Sequence, residues 1–218
     1  MNKKQKNLEK LRNADVYPVL SPGFTKGRDL ISVMEELAEC KPHIVQLRMK
    51  NESEKEIYAM ACEFRRICER NGILLIVNDR PDIALAAGAD GVHLGQEDQP
   101  FEAVAKFADK LIIGVSTHSL EEALEAQEKG ADYINIGPIY ETATKSLPME
   151  SLGVGKILEI KPHLKIPFSV MGGIKMRHIP ELVAAGAEMI AMVTEITEAD
   201  DIKGRFREIR RNIQNKNS

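Results

Sequence analysis

The chain has 218 residues, 43% of them hydrophobic and 29% charged, with a formal net charge of −3. That length can bury a sizeable core, and the weak acidity gives no basis for binding nucleic acid or an anionic membrane surface. No apolar run approaches the roughly 18 residues of a membrane span, and no apolar h-region follows the basic MNKKQKNLEK start, so neither a membrane protein nor a signal peptide is expected.

Residues 1–14 read as an extra N-terminal helix. Eight short apolar runs follow: VYPVL (16–20), HIVQL (43–47), LLIV (74–77), GVHLG (91–95), LIIGVS (111–116), YINIG (133–137), PFSVMGG (167–173) and MIAMV (189–193). They are rich in Val, Ile and Leu without strict polar alternation, as in strands buried on both faces of a parallel sheet. Between them, stretches such as RDLISVMEELAEC, SEKEIYAMACEFRRICERNG, SLEEALEAQEKG and MRHIPELVAAG repeat apolar residues at the helical period. Ser53 and Ser119 stand at N-cap positions with Glu56 and Glu122 three residues on, the capping-box spacing. The joints GADGV (88–92), GADYI (130–134) and GAEMI (186–190) share a pattern, a glycine that stops a helix followed at once by a strand. Residues 211–218 read as a polar tail that frays.

Eight such units in roughly 200 residues predict an α/β fold, a (β/α)8 TIM barrel in a single domain over 15–210. An open doubly wound sheet is the alternative; the even spacing of the units to the end of the chain favours the barrel. The cysteines, Cys40, Cys62 and Cys68, lack zinc-site spacing and read as reduced thiols of a cytoplasmic protein.

In such a barrel the active site gathers at the C-terminal ends of the strands. Those ends carry Gln46, Arg48 and Lys50 after the second run, Asn78 and Asp79 after the third, and Gln96, Glu97 and Asp98 after the fourth. Ser116, Thr117 and His118 follow the fifth, Thr142, Thr144 and Lys145 the sixth, Gly172 and Gly173 the seventh, and Thr194 and Glu195 the eighth. Arg48, Lys50 and Lys145 suit phosphate oxygens. Asp79 and Asp98 are hard oxygen donors of the kind that hold Mg²⁺ beside a diphosphate. The loops after strands seven and eight are where these barrels commonly take phosphate. Singly, each polar residue has a plain structural explanation: Asp79 as a helix cap, Arg80 as a surface charge, His93 as a packing residue, His118 as the opening of a helix. Polar clusters at seven successive strand ends are not explained that way. Two anion sites and a magnesium site suggest two phosphorylated substrates, one a diphosphate, with charge stabilisation of a leaving group rather than covalent catalysis.

Over nearly its whole length the chain resembles the thiamine phosphate synthase family. The motifs that carry the resemblance are QLRMK (46–50), VNDRPDIAL (77–85), GADGVHLGQED (88–98), IGVSTHS (113–119), GADYINIGPIYETATK (130–145), MGGI (171–174) and AMVTEI (191–196). The resemblance implies a transferase that joins hydroxymethylpyrimidine diphosphate to a thiazole phosphate, giving thiamine phosphate and pyrophosphate. It implies that Asp79 and Asp98 hold Mg²⁺. Gln46, Leu47, Arg48, Met49, Lys50, Asn78, Ser116 and Lys145 would contact the pyrimidine diphosphate, with Arg48, Lys50, Ser116 and Lys145 catalytic. Thr142, Ala143, Thr144, Gly173, Val193 and Thr194 would contact the thiazole phosphate. The chain departs from the family pattern at Met49, usually acidic; at the first strand end, VLSPGF where Thr-Asp is usual; at Glu195, usually small; and in VMGGI for AIGGI. A thiazole tautomerase using a histidine at position 118, a non-catalytic binding or regulatory barrel, and another phosphosugar barrel enzyme are the competing readings. No nucleic acid or membrane partner is expected; self-association is left open. The connection 141–153 reads as a lid carrying Lys145.

Overall fold

A computed structural model describes residues 3–142 and 150–215. Eight parallel strands close into a barrel in sequence order. They are β1 (Val16–Leu20), β2 (Ile44–Leu47), β3 (Leu74–Asn78), β4 (Gly91–Leu94), β5 (Ile112–Thr117), β6 (Tyr133–Ile136), β7 (Phe168–Val170) and β8 (Met189–Met192). The ring closes through β1 and β8, with Val16 opposite Ile190. Around it run α1 (Lys3–Arg12), α2 (Leu30–Ala38), α3 (Glu54–Asn71), α4 (Pro81–Ala86), α5 (Phe101–Val104), α6 (Leu120–Lys129), α7 (Gly155–Ile160), α8 (Ile179–Ala184), α9 (Thr194–Thr197) and α10 (Ile202–Gln214). All eight apolar runs of the sequence lie on strands, and no helix among the described residues is long and apolar enough to cross a membrane.

Alternation along each strand sorts side chains into two cores. Val45 and Leu47, Leu75 and Val77, Ile113 and Val115 point outward against the helices. Tyr17, Val19, Ile44, Leu74, Ile76, Ile112 and Tyr133 fill the barrel. Leu11 of α1 and Ala14 just beyond it plug the N-terminal mouth, and Lys4 of α1 reaches the Ala108 carbonyl at 2.6 Å and Asp132 at 2.8 Å. Toward the other mouth the inward positions become polar: Gln46, Asn78, Ser116 and Asn135. The apolar filling therefore ends beneath a polar rim.

The helix ends follow from local chemistry. At α3 the Ser53 side chain accepts the Glu56 N–H while the Glu56 carboxylate accepts the Ser53 N–H, a complete capping box. At α6 only half of the expected box forms. Ser119 Oγ accepts the Glu122 N–H, but the Glu122 carboxylate turns to the His118 N–H and ring at 2.8 and 2.9 Å. Gly130 ends α6 at φ 95°, a backbone that costs glycine little.

The C-terminal boundary differs from the sequence expectation. Residues 211–214, expected in a fraying tail, form the last turn of α10. Ile202, Phe206, Ile209 and Ile213 make one buried stripe, and Gln214 Nε2 donates to Asp15 at 2.8 Å. Arg210 also grips Asp15, with its Nε 3.0 Å from the carboxylate. The polar composition of the segment hid one apolar residue at helical spacing.

Candidate active site

At position 79 the rim departs from ordinary backbone. Asp79 has φ 60°, a left-handed conformation uncommon outside glycine and asparagine. Its N–H donates to the His93 carbonyl of β4 at 2.8 Å, so the residue turns as β3 ends. The turn brings its carboxylate against Lys50 and within hydrogen-bonding reach of Asp98. Burial, and then the neighbouring Asp98, push the Asp79 carboxyl up to about 6; Lys50 offsets this only in part. Asp98 is itself held by the Gly95 N–H at 2.6 Å. Two carboxylates from adjacent strand ends thus share one polar pocket with one lysine.

Arg48 lies beside them. Its N–H donates to the Leu20 carbonyl at 2.8 Å, which extends the β1–β2 ladder past the strand end. Burial lowers the affinity of its guanidinium for the proton, and Asp79 counters that. Asn78 is buried, and its Nδ2 has no hydrogen-bond partner among the described residues. A buried amide N–H without a protein acceptor is uncommon in folded proteins and leaves a donor available at the rim.

Two cavities adjoin at this mouth. One of about 520 Å³ is lined by Arg48, Ser116, Asn135, Pro138, Thr142 and Met171, among others. The second, of about 320 Å³, is lined by Gly172, Gly173, Val193 and Thr194, and Thr142 borders both. Gly173 has φ 61°, and a Cβ there would collide with the backbone carbonyl of Glu141. Only glycine lets these two loops pass so closely.

The sequence-predicted residues divide as follows. Arg48, Lys50, Asp79 and Asp98 come together, and Ser116, Thr142, Gly173, Val193 and Thr194 line the cavities. Gln46 points into the barrel but lies below the rim, with its Nε2 donating to the Tyr17 hydroxyl at 2.9 Å. Leu47 and Met49 do not present side chains to the site. They are 1% and 8% exposed and belong to the outer core, because strand alternation turns them away from Gln46 and Arg48. Ala143, Thr144, Lys145 and most of the expected lid lie outside the described residues. Arg80 faces away, paired with Asp82 at 2.6 Å and Glu54 at 3.0 Å. His118, tied to Glu122, lines neither cavity. Glu195 pairs with Arg205 at 2.6 Å through one carboxylate oxygen, and its other oxygen lies 3.6 Å from Lys175.

Two functional candidates escape sequence reading. Lys175, after β7, donates from Nζ to Oγ1 of Thr194, which lines the smaller cavity, at 3.1 Å, and lies 3.6 Å from Glu195. In sequence it is one of many lysines. Asn135 lines the larger cavity, and its one signal is an amide inside the apolar run YINI.

The fold and rim together define a class: a (β/α)8-barrel enzyme whose reactive groups gather at the C-terminal mouth. Comparison with known proteins narrows it. The model of the thiamine monophosphate synthase family matches residues 16–196. A thiamine-phosphate synthase of Shouchella clausii is 45% identical over 190 residues, 86% of this chain and 90% of that protein. One from Pelotomaculum thermopropionicum is 37% identical over 214 residues, 98% of each. Among solved structures, a thiamine phosphate pyrophosphorylase from Pyrococcus furiosus is similar at TM-score 0.86 and 33% identity, over 95% of this chain and 100% of that one. A 3-hexulose-6-phosphate synthase, at TM-score 0.64 and 19% identity over 91% of this chain and 99% of its own, shares the fold alone. The chain belongs to the thiamine monophosphate synthase family.

Proposed function

We propose that this barrel condenses hydroxymethylpyrimidine diphosphate with a thiazole phosphate, releasing pyrophosphate and forming thiamine phosphate. The observation that carries the reading is the Asp79–Asp98–Lys50–Arg48 cluster beside two adjoining cavities on one rim. The cavities suit two substrates meeting end to end; the cluster suits a diphosphate that must leave. A tautomerase expels no pyrophosphate and has no use for that cluster.

The carboxylate pair fits a magnesium ion. Burial and then the neighbouring Asp98 disfavour the ionised form of Asp79, a cost that a bound divalent cation would offset. Among the described residues no group of three or more His, Cys, Asp or Glu side chains gathers to hold a metal. Two carboxylates with diphosphate oxygens and water are the usual magnesium set. Bound by Asp79 and Asp98 with the diphosphate, the ion would offset charge on the departing pyrophosphate.

The chain's own groups do the rest. Arg48, Lys50 and Lys145 hold the diphosphate oxygens. The unmet Asn78 amide and the Ser116 hydroxyl bind and orient the pyrimidine end. Val19, Pro138, Met171 and Val193 give the larger cavity apolar walls that keep water from the reacting carbon. The C–O bond breaks with its electron pair leaving on pyrophosphate, and the thiazole nitrogen donates its lone pair to the resulting pyrimidinylmethyl cation. Thr142, Gly173, Val193 and Thr194, with Ala143 and Thr144, seat the thiazole phosphate, and Lys175 adds a cation there. The three free thiols are consistent with action in the cytoplasm.

The test is to incubate the protein with both substrates, with Mg²⁺ or with chelator, and follow thiamine phosphate. Product formed with metal and lost in Asp79→Ala or Lys145→Ala supports the reading. Metal-independent tautomerisation of the thiazole, or no turnover, would overturn it.

A further inference from the structure

Beneath the larger cavity a line of hydrogen bonds crosses the barrel interior. Gln46 Nε2 donates to Tyr17 Oη at 2.9 Å, and Tyr17 Oη lies 3.0 Å from Tyr133 Oη. Tyr133 Oη lies 3.0 Å from His93 Nδ1, and His93 Nε2 lies 3.0 Å from Ser116 Oγ. The five residues come from β2, β1, β6, β4 and β5. Both tyrosines are fully buried, and Gln46 and His93 are 1% and 5% exposed. Only Ser116, at the end of the line, borders the cavity.

The line has a direction. The Gln46 amide presents its N–H to Tyr17, so the single Tyr17 hydroxyl proton is free to go to Tyr133. The Tyr133 proton then goes to His93 Nδ1, because a buried hydroxyl without an acceptor is avoided in folded proteins. A neutral imidazole that accepts at Nδ1 carries its proton on Nε2 and donates it to Ser116 Oγ. Ser116 has one proton of its own, and that proton is left for the cavity. Burial keeps both phenols neutral, raising them above their usual range. Gly114 makes the line sterically allowed, since a Cβ there would strike the Tyr133 ring.

We propose that Tyr17, Tyr133 and His93 are positioning residues that commit Ser116 to accept from His93 and so to donate its hydroxyl proton to the bound pyrimidine substrate. The catalytic consequence rests on the function proposed above; the direction of the line does not. A purely structural polar network would steady the barrel but would leave no preference for Ser116 as donor.

Two measurements decide it. Nitrogen-15 NMR of imidazole-labelled protein, assigned with His93→Gln, reports the tautomer without turnover. Nε2–H on His93 is expected, and Nδ1–H would overturn the proposal even in an active enzyme. The second is a double-mutant cycle on kcat. Ser116→Ala should lower kcat about 10- to 100-fold, the range for one hydrogen bond to a charged or developing-charge group. Tyr133→Phe should lower it less, and should do nothing further in the Ser116→Ala background, because it acts only through that hydroxyl. Independent, multiplying losses would overturn the positioning role. Should Tyr133→Phe fail to fold, the wild-type tautomer alone decides.

Discussion

Replacing Asp79 by Asn should make the ligand-free barrel more stable while removing its activity. Asp79 is pushed up from 3.8 to about 6, chiefly by burial and then by Asp98. At roughly 1.4 kcal/mol per pH unit, that gap is worth about 3 kcal/mol as a ceiling. Lys50 is already included in that gap, and partial solvent access reduces the expected gain to about 1–2 kcal/mol. The direction follows from proton binding. Between about pH 4 and 6 the folded protein keeps a proton on Asp79 that the unfolded chain has lost, so stability falls as pH rises, and above 6 the full cost of the ionised form is present. Asn carries no such charge, and at φ 60° its backbone is at least as comfortable as that of Asp. The variant should therefore melt about 2–8 °C higher at pH 8, at a few degrees per kcal/mol for a domain of this size. The gain should shrink to nothing below about pH 4. Calorimetric scans in chelator across that range provide the assay. An Asn variant no more stable than wild type at pH 8, or a gain independent of pH, would refute the claim that burial and Asp98 disfavour the ionised Asp79 carboxylate.

Three further substitutions probe other parts of the account. Lys175→Met should raise KM for the thiazole phosphate about tenfold, the loss of one charged hydrogen bond, and leave KM for the pyrimidine diphosphate unchanged in steady-state kinetics; equal effects on both would remove Lys175 from the phosphate site. Gly114→Ala should destabilise the barrel by about 1–3 kcal/mol through overpacking against Tyr133, read as a lower urea midpoint; an unchanged midpoint would mean the interior can yield there. Removing residues 211–218 should cost about 2–4 kcal/mol, from the burial of Ile213 and the Gln214–Asp15 hydrogen bond. Equal stability of the shortened chain would restore the view of that segment as a tail.

Much of this architecture is legible in the sequence because a parallel barrel buries its strands on both faces. Runs such as LLIV and MIAMV carry that signature whatever their neighbours do. Helix ends are nearly as readable, since the Ser53 box is local chemistry. What escapes depends on which partner or face each side chain takes, near or far along the chain. Glu122 forsakes the expected box for the His118 N–H and ring, four residues back. Leu47 and Met49 sit in a motif of site residues, yet alternation turns them into the outer core. Gln46 looks like a rim residue until Tyr17, 29 positions earlier, takes its amide. Lys175 gains meaning only when the loop after β7 meets Thr194. NDRPD separates in the same way: Asp79 turns into the site, and Arg80, one residue on, pairs with Asp82 and Glu54 outside it.

The central claim is that Asp79 and Asp98, with Arg48 and Lys50, form one site for a metal-bound diphosphate. Calorimetric titration of pyrophosphate into the protein, with and without Mg²⁺, tests it most directly. Wild type should bind pyrophosphate much more tightly with the metal. Asp79→Asn and Asp98→Asn should each abolish that enhancement, and the double variant should lose no more than either alone. Metal-enhanced binding that survives in both single variants would contradict the account.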